Sequence, residues 1–285
     1  MIKLFPFFFI ILWSSAFITT LPIVLNSDPF SALAFRFFFV AICFFIYCLF
    51  KKLKILVSIK NLFNSFSTGI LFHGFYLGGV FYSIFVGLPT AIVALIVTLQ
   101  PILTNILAGP LLKEKILLNQ WIGIFLGFIG SVLVIGFDVG KSLPIDGIIA
   151  GIIALLAITS STIWQKKVSN NIPLAVNNMY QAIGAVIFHL FILVFIFERP
   201  FLNINSQFLL AMSHQIFLVS LGAFSILMYL IKKNSASKTV SVFFLIPPTS
   251  AIMAFIFLGE NLDFVDILGF LIATLGVYIA TREKN

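Results

Sequence analysis

A duplicated stretch of sequence constrains the fold of this chain more than any other feature. Five residues recur in the same order at a constant offset of 146 positions. The matching residues are Leu99, Pro101, Glu114, Gly123 and Gly130 in the first copy and Leu245, Pro247, Glu260, Gly269 and Gly276 in the second. The chain is therefore predicted to contain two copies of one unit, at residues 1–137 and 146–285.

Apolar segments fill both copies. The chain is 61% hydrophobic and 9% charged, whereas a soluble domain carries roughly 25% charged residues. A helix needs about 20 apolar residues to cross the hydrocarbon core. Ten segments meet this requirement, and we interpret the first as a retained span rather than a cleaved signal peptide. The predicted spans are Leu4–Leu25, Pro29–Phe50, Leu62–Val86, Pro89–Leu112, Asn119–Gly136, Gly147–Gln165, Pro173–Phe197, Phe208–Ile231, Thr239–Leu258 and Phe264–Thr281.

Basic residues separate to one side of this arrangement. Of the 17 Lys and Arg residues, Lys141 and Arg199 fall in loops on one side, Arg36 lies inside a span, and all others lie on the opposite side. Those others are Lys3, Lys51, Lys52, Lys54, Lys60, Lys113, Lys115, Lys166, Lys167, Lys232, Lys233, Lys238, Arg282 and Lys284. Cytoplasmic loops carry the excess of positive charge. We therefore expect both termini in the cytoplasm and a multi-pass location in the cell (inner) membrane.

The offset and the topology together predict inverted repeats. An offset of 146 residues moves each span five spans along, and because five is odd the two copies insert in opposite orientations. Glu114 is then predicted on the cytoplasmic side and Glu260 on the outer side. Inverted repeats are typical of secondary transporters, whose substrate site lies near the membrane midplane between the repeats.

Motifs in both copies resemble those of the EamA family of the drug/metabolite transporter superfamily. The resemblance rests on an ordered set of residues over ten spans. They are Trp13-Ser14-Ser15-Ala16-Phe17, Arg36, Gly87-Leu88-Pro89-Thr90-Ala91, Leu99-Gln100-Pro101, Glu114, Gly123, Gln165-Lys166-Lys167, Tyr180-Gln181, Pro247-Pro248 and Gly259-Glu260-Asn261-Leu262. The resemblance implies an all-α fold of ten transmembrane helices in two inverted five-helix repeats. It also implies export, or occasionally uptake, of amino acids, related metabolites or drug-like compounds.

Arg36 is the one formal charge well inside a predicted span. A charge at that depth is costly and usually faces a cavity or a partner. Two readings remain open for it: a contact for a substrate carboxylate, or a structural anchor that binds carbonyl groups.

Prolines are predicted to interrupt the fourth and ninth spans. Pro101 and the pair Pro247-Pro248 have no amide hydrogen, so helical carbonyls lose their donors in mid-membrane. Such groups are tolerated against protein or a watery cavity. Gln100 is accordingly either a polar contact in the substrate pathway or a packing residue beside a bend.

Further candidates for the pathway are aromatic or polar residues within the spans. The histidine His73 could also carry a proton for coupling. A purely structural role is open for each of them. These candidates are Trp13, Ser14, His73, Tyr76, Trp164, Tyr180 and Gln181.

Two features are interpreted as structural. Glu114 is expected to complement the start of the helix that follows it. Small residues recur on the fifth and tenth spans and favour close helix packing, within each half or in a homodimer. They are Gly123, Gly127 and Gly130, and Gly269, Ala273 and Gly276.

Known catalytic and cofactor motifs are absent from the sequence, including HExxH, GxSxG and phosphate-binding loops. We therefore expect no enzymatic activity, no cofactor and no metal site. The basic residues follow membrane topology, so no nucleic-acid partner is expected; the partners are the lipid bilayer and a small-molecule substrate. The inverted repeats predict a transporter that works by alternating access, and the resemblance to the EamA family implies export of small metabolites such as amino acids or their derivatives. The alternatives are a non-transporting scaffold or receptor, and a transporter acting in uptake or on lipid-linked or drug-like substrates.

Overall fold

Ten helices long and apolar enough to cross a membrane lie in the part of the chain that the computed structural model describes, residues 4–136, 143–168, 172–258 and 263–282. The predicted number of spans is therefore confirmed. Lys3, Lys141, Lys284 and residues 259–262, which include Glu260, lie outside the described residues. The helices are α1 (Phe5–Asn26), α2 (Pro29–Phe50), α3 (Ile59–Phe85), α4 (Thr90–Thr98 and Gln100–Leu112), α5 (Leu118–Ile135), α6 (Ile145–Val168), α7 (Leu174–Phe195), α8 (Ser206–Lys233), α9 (Ala236–Phe257) and α10 (Phe264–Thr281).

Helix contacts follow the internal duplication. Helix α2 packs on α7 and α5 packs on α10, so each pair joins a helix to its own counterpart five spans later. The α1–α8 contact has its counterpart in α6–α3, and α4–α6 has its counterpart in α9–α1. Exchanging the two halves therefore maps the α2–α7 and α5–α10 contacts onto themselves and each of the other contacts onto its counterpart, as expected for two inverted five-helix repeats.

Glycines bring α5 and α10 into backbone contact. A Cβ atom added at Gly276 would lie 2.7 Å from the carbonyl oxygen of Gly123 and 2.8 Å from the Cα of Gly127. One added at Gly269 would lie 2.7 Å from the carbonyl oxygen of Gly130. The small-residue stripes thus pack against each other between the two halves. The expectation that each stripe packs within its own half is wrong, because the partner of α5 is its own counterpart in the other repeat.

Two central helices carry π-helical segments at corresponding positions. In α3 the segment is Ile70–Tyr76, and in α8 it is Gln215–Ala223. Shifted by 146 residues, the first segment falls inside the second. A π-helix closes its turns with i→i+5 hydrogen bonds and is frequent at functional sites. Both segments are largely buried: Phe72, His73 and Tyr76 lie inside the bundle in the first, and Gln215, Val219 and Ser220 in the second.

The proline-containing helices α4 and α9 are interrupted in mid-span. Helix α4 consists of Thr90–Thr98 and Gln100–Leu112, separated at Leu99. Helix α9 passes through a short 3-10 segment, Val242–Leu245, immediately before Ile246 and the two prolines. The interruptions therefore occur at corresponding positions of the two repeats.

Loops on opposite faces hold the ends of the bundle. We call the face away from the chain termini the distal face. There the Asp28 carboxylate caps the start of α2 and accepts a hydrogen bond of 2.8 Å from the Phe201 amide. We call the face where α1 begins and α10 ends the terminal face. There the Lys166 ammonium donates hydrogen bonds to the carbonyls of Ile231 and Asn234 at 3.0 and 2.6 Å. The α1–α2 and α7–α8 loops are thus joined on one face, and the ends of α6 and α8 on the other.

Candidate functional site

A cavity of about 350 Å³ lies between the two repeats. Its inner part is lined by Trp13, Tyr76 and Phe243 from α1, α3 and α9. From there it extends between α4 and α9 to Thr90 and Ile135, at the distal ends of α4 and α5. The cavity therefore reaches from the middle of the bundle towards the distal face, and its walls are mainly apolar.

A second, smaller cavity of about 40 Å³ adjoins the first. The two share four lining residues, which are Trp13, Phe17, Tyr76 and Val80. The small cavity also receives His73 from the π-helical segment of α3, and Gln215 and Ser220 from that of α8. The two π-helical segments thus bring three polar side chains to one recess, whose walls are otherwise mainly apolar.

Arg36 supplies the charge of this recess. Its side chain is 4% exposed and lines the small cavity. The guanidinium donates one hydrogen bond, from Nε to the Ser220 Oγ at 2.8 Å. Among the described residues, no Asp or Glu lines either cavity. Taking a charge out of water without a partner is expensive, so this recess is complementary to an anionic group.

Two buried polar atoms in the recess have no hydrogen-bond partner among the described residues. They are Gln215 Oε1 and His73 Nδ1. Nearly all buried polar atoms in folded proteins are satisfied, and each exception calls for an explanation. The recess therefore presents both spare donors and spare acceptors to whatever occupies it.

The helix interruptions beside the large cavity are stabilised locally. Pro247 and Pro248 cannot donate to the carbonyls of Phe243 and Phe244. The Phe243 carbonyl accepts from the Ile246 amide in a 3-10 turn, and the Phe244 carbonyl accepts from Ser131 Oγ at 2.9 Å. Freed backbone groups at this depth are thus satisfied by protein, as the membrane requires.

The terminal face is closed between α4 and α9. The Glu114 carboxylate accepts hydrogen bonds from the backbone amides of Ala236 and Ser237 at 2.8 and 3.2 Å. The Ser237 hydroxyl also donates to Asn105 Oδ1. A carboxylate is favourable at a helix N-terminus, but this helix is α9 and not α5. The expectation that Glu114 complements the following helix is therefore wrong, because its side chain reaches the other repeat.

The family model for the EamA-like transporter family matches the chain twice, over residues 3–136 and 145–282. The chain belongs to the EamA-like transporter family. Members of the drug/metabolite transporter superfamily are therefore its relatives, and it is a multi-pass membrane protein. Both cavities are lined by residues from each of the two matched ranges.

Curated relatives are named as transporters without an assigned substrate. The chain is 30% identical over 200 residues, 66% of its length and 63% of the relative's, to "Uncharacterized transporter YyaM" of Bacillus subtilis (strain 168). It is 24% identical over 219 residues, 75% of its length and 69% of the relative's, to "Uncharacterized transporter YvbV" of the same organism. The match therefore spans less than two thirds of the first relative.

A solved structure has the same fold as this EamA chain. It is titled "Crystal structure of protein", with a TM-score of 0.79 and 18% sequence identity. The alignment covers 98% of this chain and 97% of that one. The similarity thus extends over all the described helices of both repeats.

Some of the residues proposed from the sequence of this EamA chain come together in the two cavities. Both cavities are lined by Trp13 and Tyr76, the small one also by Arg36 and His73, and the large one also by Pro247.

The other proposed residues lie against protein rather than along these two cavities. Ser14 donates to the carbonyl of Ile246, next to the α9 interruption, at 3.3 Å. Gln100 is fully buried and donates to Thr162 of α6 at 3.3 Å. Pro101 and Pro248 line neither cavity.

Three proposed residues of α6 and α7 also hold neighbouring elements. Trp164 donates to Asn64 Oδ1 at 3.2 Å, and Tyr180 donates to the carbonyl of Ile55 at 3.1 Å. Gln181 donates to Gln165 Oε1 at 2.9 Å. These hydrogen bonds link α6 and α7 with α3 and the α2–α3 connection.

Sequence reasoning missed Gln215 and Ser220. They are five residues apart, which at about 100° per residue would place them on different sides of an α-helix. The π-helical segment brings both to the same cavity. A polar pair inside an apolar span is the signal that could have drawn attention to them.

Metal ligands are not grouped in the described ranges, where no three His, Cys, Asp or Glu side chains lie close enough to hold an ion.

Proposed function

We propose that this chain is a secondary transporter that exports small metabolites by alternating access, with amino acids or their derivatives as the leading substrates. One observation carries the proposal: the cavity between the repeats reaches the distal face, while the Glu114 contact with α9 closes the terminal face. Membership of the EamA family supports transport rather than catalysis. In this proposal both termini lie in the cytoplasm of a cell whose inner membrane holds the chain, and the cavity faces outwards.

The repeats suggest how access would alternate. Ala236 begins α9 at the closed terminal face. Thr90, 146 residues earlier, begins the corresponding part of α4 and lines the large cavity near the distal face. In the second state we expect α9 to leave Glu114 while the distal part of α4 approaches its neighbours. The proline interruptions of both helices are the points at which these movements would occur.

Counterflow in proteoliposomes tests transport. Purified protein is reconstituted with unlabelled amino acids inside, and uptake of labelled amino acids is measured against protein-free liposomes. Uptake that depends on protein and on internal substrate supports the proposal. No flux across a broad panel of metabolites would favour a non-transporting scaffold or receptor. Export is tested by the rate at which loaded cells lose labelled substrate with and without the chain.

A cross-link tests alternating access. Cys43 and Cys48 are first replaced by alanine, and Asn105→Cys is combined with Ser237→Cys, because these side chains contact each other at the closed terminal face. A short bis-methanethiosulfonate, which forms a disulfide with each thiol and releases methanesulfinate, should abolish counterflow, and a thiol reductant, which cleaves those disulfides, should restore it. The two single-cysteine variants treated in the same way are matched controls. Full activity of the cross-linked protein would contradict the proposed movement.

A further inference from the structure

We propose that the small cavity is the subsite for the head group of the substrate, and that it recognises a carboxylate with an N–H donor on the neighbouring carbon, as in an α-amino acid. Arg36 binds the carboxylate and Gln215 accepts the hydrogen bond of the amino group. This inference rests on the proposed transport function and adds the residues and the chemistry of recognition.

The carboxylate is assigned to Arg36 by its hydrogen bonds. A guanidinium has five N–H donors in a fixed planar fork, and the structure gives Arg36 one hydrogen bond, from Nε to Ser220. The cavity that it lines contains no acid. A carboxylate matches the fork with two parallel hydrogen bonds and neutralises the buried charge. Ser220 acts as a positioning residue, because it holds Nε and so orients the remaining donors.

The N–H donor is assigned to Gln215 by the orientation of its amide. Its Nε2 donates to the Ala16 carbonyl at 3.0 Å and to the Thr19 and Thr20 hydroxyl oxygens at 3.0 and 3.3 Å. A backbone carbonyl can only accept, so the amide cannot be turned over. Its Oε1 is therefore the free atom, and this side chain is 1% exposed. His73 Nδ1, also without a partner, lines the same recess.

Cavity sizes separate the head group from the rest of the substrate. About 40 Å³ is room for a few waters, and so for a carboxylate and an amino group but not for a whole metabolite. Trp13, Phe17 and Tyr76 line both cavities and mark the passage between them. The substrate's side chain then occupies the larger cavity, where Val97 and Phe243 favour an apolar group.

Binding of three related probes tests the subsite. The fluorescence of Trp13, which lines both cavities, is followed after Trp121→Phe and Trp164→Phe remove the other two tryptophans. The probes are L-phenylalanine, 3-phenylpropanoate without the amino group, and phenethylamine without the carboxylate. Losing either group should weaken binding about tenfold or more, the usual effect of removing a hydrogen bond to a charged group.

Variants assign each preference to its residue. Arg36→Gln should weaken phenylalanine binding about tenfold or more and abolish its advantage over phenethylamine. Gln215→Leu should abolish the advantage of phenylalanine over 3-phenylpropanoate and leave the carboxylate preference intact. Ser220→Ala keeps the charge and should retain the carboxylate preference at reduced affinity. Lys60→Gln, which removes one positive charge from an exposed position, should change nothing.

Two further measurements keep the proposal falsifiable. If Arg36→Gln does not fold, Arg36→Lys replaces it; a lysine cannot form the two parallel bonds, so the phenylalanine-to-phenethylamine affinity ratio should still fall. Unchanged ratios in the folded Arg36 and Gln215 variants would overturn the subsite. If other solutes show counterflow that is unchanged in the Arg36 variants, the proposed subsite is overturned, whereas the proposed transport function is not contradicted. Selective binding with no flux of any solute would instead contradict the transport function.

Discussion

Replacing Gly276 by alanine should loosen the contact between the two repeats. The added methyl carbon would lie 2.7 Å from the Gly123 oxygen and 2.8 Å from the Gly127 Cα, whereas ordinary contacts are 3.4–4 Å. Both obstacles are backbone atoms, so α5 and α10 must separate by about half an ångström or more. Gly78→Ala in α3 is the matched control, because its methyl group would meet only side chains, at 3.5 Å.

The size of the effect follows from comparing the two variants. Both gain about 1 kcal/mol from the higher helix propensity of alanine. Gly276→Ala also pays the cost of overpacking, typically about 1–3 kcal/mol. At roughly 2–4 °C per kcal/mol, its apparent melting temperature should lie about 2–12 °C below that of Gly78→Ala. Thermal unfolding of detergent-purified protein measures this difference. Equal melting temperatures would refute the close backbone contact.

Three other substitutions have defined outcomes. Ser131→Ala leaves the Phe244 carbonyl without its side-chain donor and should lower the free energy of unfolding by about 1–3 kcal/mol, measured by thermal unfolding. The control Thr274→Ala removes an exposed hydroxyl and should lower it by under about 0.5 kcal/mol. Asp28→Ala removes three hydrogen bonds from a buried carboxylate and should lower the apparent melting temperature by several degrees; an unchanged value would contradict the capping role. Glu114→Gln should weaken the closure of the terminal face by about 1–2 kcal/mol, because a neutral amide accepts the two backbone hydrogen bonds less strongly than a carboxylate. A cysteine introduced by Ser237→Cys in the cysteine-free background should then react about fivefold to thirtyfold faster with a thiol reagent. An unchanged reaction rate would show that this contact does not hold the face closed.

The sequence predicted the helices well because their determinants are local. Each span is a continuous apolar run, and the interruptions at Leu99 and before Pro247 follow from the missing amide hydrogen of proline. Arg36 was visible because a charge inside a span is rare. These features can be read from the residue itself or from its near neighbours.

Contacts across the repeats could not be read in this way. Glu114 was expected at the nearest helix start, but the fold brings a distant one, at Ala236, within reach. Gln100 was read from its proline neighbour, and the fold directs its amide to Thr162. Gln215 was missed because nothing near it in the sequence marks the π-helical segment that brings it, together with Ser220, to the small cavity. In each case the deciding information is the position of a residue far away in the chain.

The matching π-helical segments also bear on the history of the chain. A π-helical turn holds one residue more than the α-helical turn that it replaces, and such an irregularity occurs at Ile70–Tyr76 and again, 146 residues on, within Gln215–Ala223. The simplest history is that the ancestral five-helix unit already contained it before the gene was duplicated. The two copies now differ at the cavity, since Gly222 stands at the position that corresponds to Tyr76 and Gly69 at the one that corresponds to Gln215. A symmetric pair of ancestral irregularities thereby became an asymmetric site with distinct ends.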